Sequence, residues 1–296
     1  MSRDAYEPFS RGQLPVDART ISARRGNREL PIEIWSPPAE SRLPLVVFSH
    51  TSGGNRHQST FLCSHLASHG YVVAAPDHVG NTTADFIAAT QRAAAGEVPS
   101  AEERDARVRT LIANRVPDLR LAIDAALSDR GLAGRADPTR VGLLGYSFGG
   151  WAVLATPESD DRVSAVVAMV PAGNSKPLPG IIPATLTFEW KRPAATLLIA
   201  AELDKFTPPS GIRELRDRAP SPTRMFVLHG AGHQHFADAI DDPERCPPEK
   251  AHLFATALVL AHFDAALKSN DGARAFLERD PIAALRERGI EATEEI

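Results

Sequence analysis

The sequence predicts an α/β fold with a mostly parallel, doubly wound central sheet flanked by helices. Three observations predict it. Short aliphatic runs of strand length recur along the chain and stop at a polar residue or a glycine, the pattern of strands covered on both faces. Segments of helical length and pattern separate them, several closed by a glycine. Strand and helix alternate with no internal repeat, linker or low-complexity tract, so residues 1–296 are read as a single domain. In such sheets ligands sit beyond the carboxyl ends of the strands.

In order, "RELPIEIWSPP" alternates around Ile32 and Ile34 and predicts an edge strand, whereas "LPLVVFSH" is continuously apolar and predicts a buried one. "YVVAAPDH", "RVGLLGYS", "RVSAVVAMVP", "AATLLIAAELD" and "TRMFVLHG" repeat the buried pattern. Helices are expected at "TFLCSHLASHG", "VPDLRLAIDAALSDRG", "FGGWAVLA", "PSGIRELRDRA" and "EKAHLFATALVLAHFDAAL", the last apolar enough for the core or a dimer face. Two stretches break the alternation. Residues 81–114 are rich in Ala and charge and long enough for an extra helix; residues 171–193 are rich in Pro and Gly and carry Leu178, Ile181, Ile182, Leu186, Phe188 and Trp190. Both are candidate pocket-lining insertions, the second a short cap or lid. The acidic end "GIEATEEI" reads as a solvated tail.

Composition narrows the partner. A formal net charge of -4, with 33 basic against 37 acidic residues and no basic cluster, argues against nucleic acid and anionic membrane and leaves a small neutral molecule. "MSRDAYEPFSRG" lacks the apolar run of a signal peptide, and no segment has the roughly eighteen unbroken apolar residues of a membrane span, so a cytoplasmic location is expected. The abundance of Ala and Arg fits a GC-rich bacterial source. Cys63 and Cys246 stand far apart without metal-ligand spacing, the pattern of two reduced thiols rather than a disulfide or metal site. Oligomeric state is open between monomer and homodimer.

Gly145-Tyr146-Ser147-Phe148-Gly149 matches G-x-S-x-G at the junction of a strand (141–144) and a helix (148 onward). That junction is where a strained turn lifts a serine hydroxyl clear of the sheet. A hydroxyl is a weak nucleophile near neutral pH, so it needs an imidazole base and a carboxylate to orient the imidazole. Asp204 follows the strand "LLIAAELD" and His233 lies in the Gly-rich loop of "VLHGAGHQHF", so both reach the rim that carries Ser147. Glu202 is the rival acid, nearer its strand, and His229 and His235 are rival bases, one closing its strand and one further along the loop. His65, His69, His252 and His262 fall in helical stretches and are expected at the surface or in packing. The amide N–H of Phe148, first in the helix, and that of Ser52 in "SHTSGGN" are the expected oxyanion donors, with Thr51 as the alternative to Ser52. Tyr146, Trp190 and Phe206 are expected to bind substrate. No cofactor or metal is needed for this chemistry.

The segments "YEPFSRGQLPVDART", "LPIEIWSPP", "PLVVFSHTSGG", "LASHGYVVAAPDHVGN", "GYSFGG", "IAAELDKFTP" and "GAGHQHF", in this order across nearly the whole chain, resemble the α/β-hydrolase superfamily in its platelet-activating factor acetylhydrolase-like and predicted dienelactone hydrolase branch. The resemblance implies an α/β-hydrolase fold and a serine esterase acting through an acyl-enzyme, with Ser147, Asp204 and His233 as triad and Ser52 and Phe148 as oxyanion donors. Relatives usually carry His-Gly where this chain has His50-Thr51, and often His where it has Tyr146. The founding dienelactone hydrolases use a cysteine nucleophile, and position 147 is serine, so their substrate does not carry over. The same triad would serve a lactone, an amide, a phthalate-type diester or a polyester. A non-catalytic binding protein on the same scaffold is the other alternative, opposed by competent residues at all three triad positions.

Overall fold

Six of the apolar runs lie parallel at the centre of a nine-stranded sheet. The computed structural model describes residues 6–240 and 245–295. The strands are β1 (Asp17–Arg25), β2 (Arg28–Ser36), β3 (Leu43–Ser49), β4 (Val72–Pro76), β5 (Ala136–Tyr146), β6 (Val163–Met169), β7 (Ala195–Ala201), β8 (Thr223–Leu228) and β9 (Ala292–Glu295). Their spatial order is β1-β2-β4-β3-β5-β6-β7-β8-β9, with β3 to β8 parallel and the β1–β2, β2–β4 and β8–β9 pairs antiparallel.

Two edges differ from expectation. β2 is not the edge: β1 pairs with it over the whole of its length, Asp17 opposite Ser36 and Arg25 opposite Arg28. At the other edge the acidic tail is a strand rather than a solvated end. Ala292–Glu295 pairs with β8, and Glu294 and Glu295 form ion pairs with Arg224 and Arg213 at 2.7 and 2.5 Å. The last residue of that tail, Ile296, lies outside the described residues.

The helices are α1 (Thr60–Ser68), α2 (Thr83–Ala94), α3 (Ala101–Ser128), α4 (Phe148–Ala155), α5 (Pro209–Arg218), α6 (Pro248–Leu267), α7 (Asp271–Arg279) and α8 (Pro281–Arg286). The extra helix expected in 81–114 is two: α2, closed at its start by a Thr82–Asp85 capping box, and the first half of α3. The helix expected from Val116 begins instead at Ala101 and runs through Pro117. A proline at the first turn and one inside a longer helix leave the same mark in a sequence.

Side chains of the parallel strands alternate between two apolar layers. Phe48, Val73 and Ile199 pack with Leu62 of α1 and Phe254 and Leu258 of α6, while Val47, Ala74 and Leu198 pack with Leu119 of α3, Trp151 of α4 and Ile212 of α5. Burying such a side chain contributes about 1.5–3 kcal/mol. The apolar face of α6 is thus taken up by the core, and Cys63 and Cys246 are both buried and unpaired. Among the described residues no helix is long and apolar enough to cross a membrane.

Candidate active site

The carboxyl ends of β3, β5, β7 and β8 bring four loops to one rim. β5 ends at Tyr146 and α4 begins at Phe148, which leaves Ser147 alone in the turn with φ 58° and ψ -115°. A non-glycine residue there is strained and must be held. Its N–H donates to Met169 O at 2.9 Å, and its own carbonyl accepts from Trp151 and Ala172 N–H, each at 3.1 Å. The flanking glycines are a steric demand: a Cβ at 145 would fall 2.2 Å from Gly149 O, and one at 149 would fall 2.0 Å from Ser49 O.

The structure brings Ser147, His233 and Asp204 together. His233 Nε2 lies 2.9 Å from Ser147 Oγ, and His233 Nδ1 lies 2.7 Å from Asp204 Oδ2. A carboxylate only accepts, so Nδ1 carries the proton and Nε2 is free to accept from the serine hydroxyl. Asp204 is 4 % exposed, and burial alone would push its carboxyl up. Hydrogen bonds from the His233 ring and from the Thr207 and Phe206 amides outweigh that and hold it below the usual carboxylate range.

The rivals are engaged elsewhere. Glu202 Oε2 accepts the Gly230 N–H at 2.8 Å, and the His229 ring lies 3.3 Å from Thr293 Oγ1. His235 Nδ1 accepts from Gly232 N–H at 3.0 Å, while its Nε2 faces Cys246 O at 3.2 Å. Thr207 joins the site unforeseen: its hydroxyl lies 2.8 Å from Asp204 Oδ2 and 3.0 Å from Val170 O. The Asp-x-x-Thr spacing, whose carboxylate accepts amides two and three residues on, is the sequence signal for it.

A cleft of about 240 Å³ opens over Ser147, walled by Thr51, Ser52, Phe148, Ile181, Ile182 and Phe206 among others. The amide N–H groups of Ser52 and Phe148 have no acceptor among the described residues, whereas Thr51 N–H already donates to Gln58 Oε1 at 2.9 Å. Thr51 has no positive φ, so its Cβ costs no backbone strain.

Three expectations about the wall change. Trp190 is not part of it; its indole N–H donates to Leu154 O at 2.9 Å and its ring meets Phe188. Tyr146 borders the cleft but is fully buried, with its hydroxyl donating to His233 O at 2.5 Å. Residues 81–114 do not reach the cleft, and α2 and α3 line a separate cavity beside Arg28 and Val79. Residues 171–193 do contribute, through Ala172, Gly180, Ile181 and Ile182, as an irregular segment that also sends Leu186 and Phe188 into the core. Among the described residues no cluster of three or more His, Cys, Asp or Glu could hold a metal ion.

The model of the dienelactone hydrolase family matches residues 34–281. The chain belongs to the dienelactone hydrolase family. Its sheet and helices accordingly form an α/β-hydrolase fold. This family member is 26 % identical to platelet-activating factor acetylhydrolase of Cavia porcellus over 234 residues, 69 % of this chain and 51 % of that protein. It is 25 % identical to cutinase est1 of Thermobifida alba over 254 residues, 80 % of this chain and 72 % of the cutinase. A cutinase of Thermobifida fusca is also 25 % identical over 254 residues, 80 % of this chain and 67 % of that protein. The chain thus spans about half the length of the acetylhydrolases it matches.

Proposed function

We propose that the protein is a serine hydrolase that cleaves carboxylic esters of small to medium size through an acyl-enzyme. The observation that carries this reading is the continuous chain Ser147 Oγ, His233 and Asp204 with links of 2.9 and 2.7 Å, opening on a cleft. His233 Nε2 takes the Ser147 proton as Oγ attacks the ester carbonyl, and the Nδ1 proton stays on the ring, where Asp204 stabilises the imidazolium. The Ser52 and Phe148 amides receive the oxyanion, a contribution worth about 10²–10³ in rate per donor in enzymes of this kind. His233 then protonates the departing alcohol, and water, deprotonated by the same ring, releases the acid.

The relatives' names, acetylhydrolase and cutinase, support an ester as the bond, and the volume over Ser147 supports a short acyl group. A fluorophosphonate probe labels the wild-type protein and leaves Ser147→Ala unlabelled; equal labelling of both overturns the assignment. A panel that varies acyl length and alcohol bulk separately, with a lactone, an amide, a phthalate diester and a polyester included, ranks the substrates.

A further inference from the structure

Behind the cleft lies a buried polar cluster that the chemistry above does not use. Arg115 of α3 is 1 % exposed, and among the described residues no carboxylate forms an ion pair with it. Its guanidinium is spent on the loop after β3. Nη1 donates to His50 O at 2.5 Å and Ser49 Oγ at 3.3 Å; Nη2 donates to Thr51 O at 3.1 Å and to Asn81 Oδ1. Among the described residues only its Nε finds no partner. Its plane also covers the Phe148 ring, with Cζ 4.6 Å from the centroid. Asp118, one turn along α3, is taken up by Arg25, Arg28 and His78. Burying a cation in this way costs several kcal/mol and is poor evidence of a stabilising role, since an apolar side chain fills such space as well.

His50 acts on the same carbonyl. Its Nε2 accepts the His78 N–H at 3.0 Å, and burial keeps the ring neutral by holding its pKa well below the usual range, so Nδ1 carries the proton. That proton is donated to Thr51 O at 2.7 Å. The carbonyl of Thr51 and the N–H of Ser52 belong to one planar peptide and point in opposite directions. Two donors on the oxygen therefore fix the plane and strengthen the dipole of the N–H on the other side, by about 10–30 % per bond. Asn81 completes the support: its Nδ2 donates to Ser52 Oγ at 3.0 Å, and its main-chain carbonyl accepts the Gly53 N–H at 3.2 Å.

We propose that Arg115 and His50 clamp the Thr51–Ser52 peptide from behind and so aim and polarise the Ser52 N–H, making them positioning residues of the oxyanion hole. The inference rests on the ester-hydrolase reading. It accounts for how the peptide is held with threonine at position 51: its plane is fixed by donors on its carbonyl.

The test compares Arg115→Lys, which keeps the charge but cannot bridge three carbonyl oxygens, with His50→Leu, which removes the donor to Thr51 O together with the acceptor of the His78 N–H, and His50→Asn, which restores an amide donor near the Nδ1 position. In folded protein, Arg115→Lys and His50→Leu are each expected to lower kcat on a short-chain ester 10- to 100-fold with KM within twofold. The Ki of a trifluoromethyl ketone, whose adduct places an oxyanion in the hole, rises by the same factor, and His50→Asn recovers most of the loss. Folded variants with kcat within twofold of wild type, or a fall in kcat with Ki unmoved, overturn the inference. If Arg115→Lys does not fold, the two His50 variants decide. A wild type that turns over no ester defeats the ester reading itself, whereas an active wild type with unaffected variants defeats this inference alone.

Discussion

The hydroxyl of Tyr146 donates to the main-chain carbonyl of His233 at 2.5 Å, so the residue before Ser147 holds the loop that carries the proposed base. The ring of Tyr146 is fully buried against Phe236, and its hydroxyl reaches the loop across 87 positions of sequence. Tyr146→Phe leaves that carbonyl short of a donor and lets the imidazole drift from Ser147. We expect kcat to fall about tenfold with little change in KM, and stability to fall by about 1–3 kcal/mol. Steady-state kinetics with thermal unfolding checks both; unchanged kcat would show that the loop is held without Tyr146.

The two acidic residues after β7 separate cleanly. Asp204 meets His233, while Glu202 faces outward onto the Gly230 amide. Asp204→Asn keeps the shape but supplies the wrong hydrogen-bond sense to Nδ1, so kcat is expected to fall by about 10³–10⁴. Glu202→Gln is expected to stay within about twofold of wild type, since only an exposed hydrogen bond changes. A larger loss in Glu202→Gln than in Asp204→Asn would exchange the roles.

The six central strands are legible because continuous aliphatic runs have few other uses, and the juxtaposition of Ser147, Asp204 and His233 is legible because each follows the carboxyl end of such a run. The edges are not legible. β1, "DARTISARR", shows an exposed or half-exposed face along its whole length, and β9 is acidic because its partners Arg213 and Arg224 are basic. Trp190 lies in an irregular segment whose aromatic residues could turn to the cleft or to the body, and nothing local decides; the free carbonyl of Leu154 at the end of α4 does. Arg115 sits in "ANRVPDLR", where a charge ordinarily points to water, and only the packing of α3 on β3 and α4 turns it inward.

Buried histidines set how the fold responds to acid. Burial first of all depresses His65, His78 and His262 to about 4, and it holds His50 well below its ordinary value too. In the unfolded chain a histidine titrates near 6.5, so below that pH the unfolded state binds protons that the folded state refuses. Stability is therefore full above about pH 6.5 and declines as the pH falls toward 4. Carboxylates held below their usual range, among them Asp118 and Asp204, add their loss only at lower pH still, as they protonate. Tm measured from pH 7.5 to 4.5 should fall steadily, and His262→Gln should flatten part of the slope. A Tm that holds constant across that window contradicts the buried neutral rings.

The small cleft over Ser147 favours short acyl chains. Its volume of about 240 Å³ equals that of roughly eight waters in the liquid. The space is bounded by Ile181, Ile182 and Phe206, which favour an apolar acyl chain, and by the Thr51 and Ser52 loop that carries one of the proposed oxyanion donors. A space of that size suits short acyl groups such as acetyl and butyryl better than long chains. A dodecanoyl chain must lie out over Phe206, which is 53 % exposed and so returns little of the burial energy per methylene that a closed pocket gives. With p-nitrophenyl esters we expect kcat/KM to be greatest at two to four acyl carbons and about 10- to 100-fold lower at twelve. Replacing Ile182 with Ala should shift the optimum toward longer chains, since it opens the wall on the side of the 171–193 segment. An optimum already at twelve carbons in the wild type would mean that this segment moves aside when substrate binds.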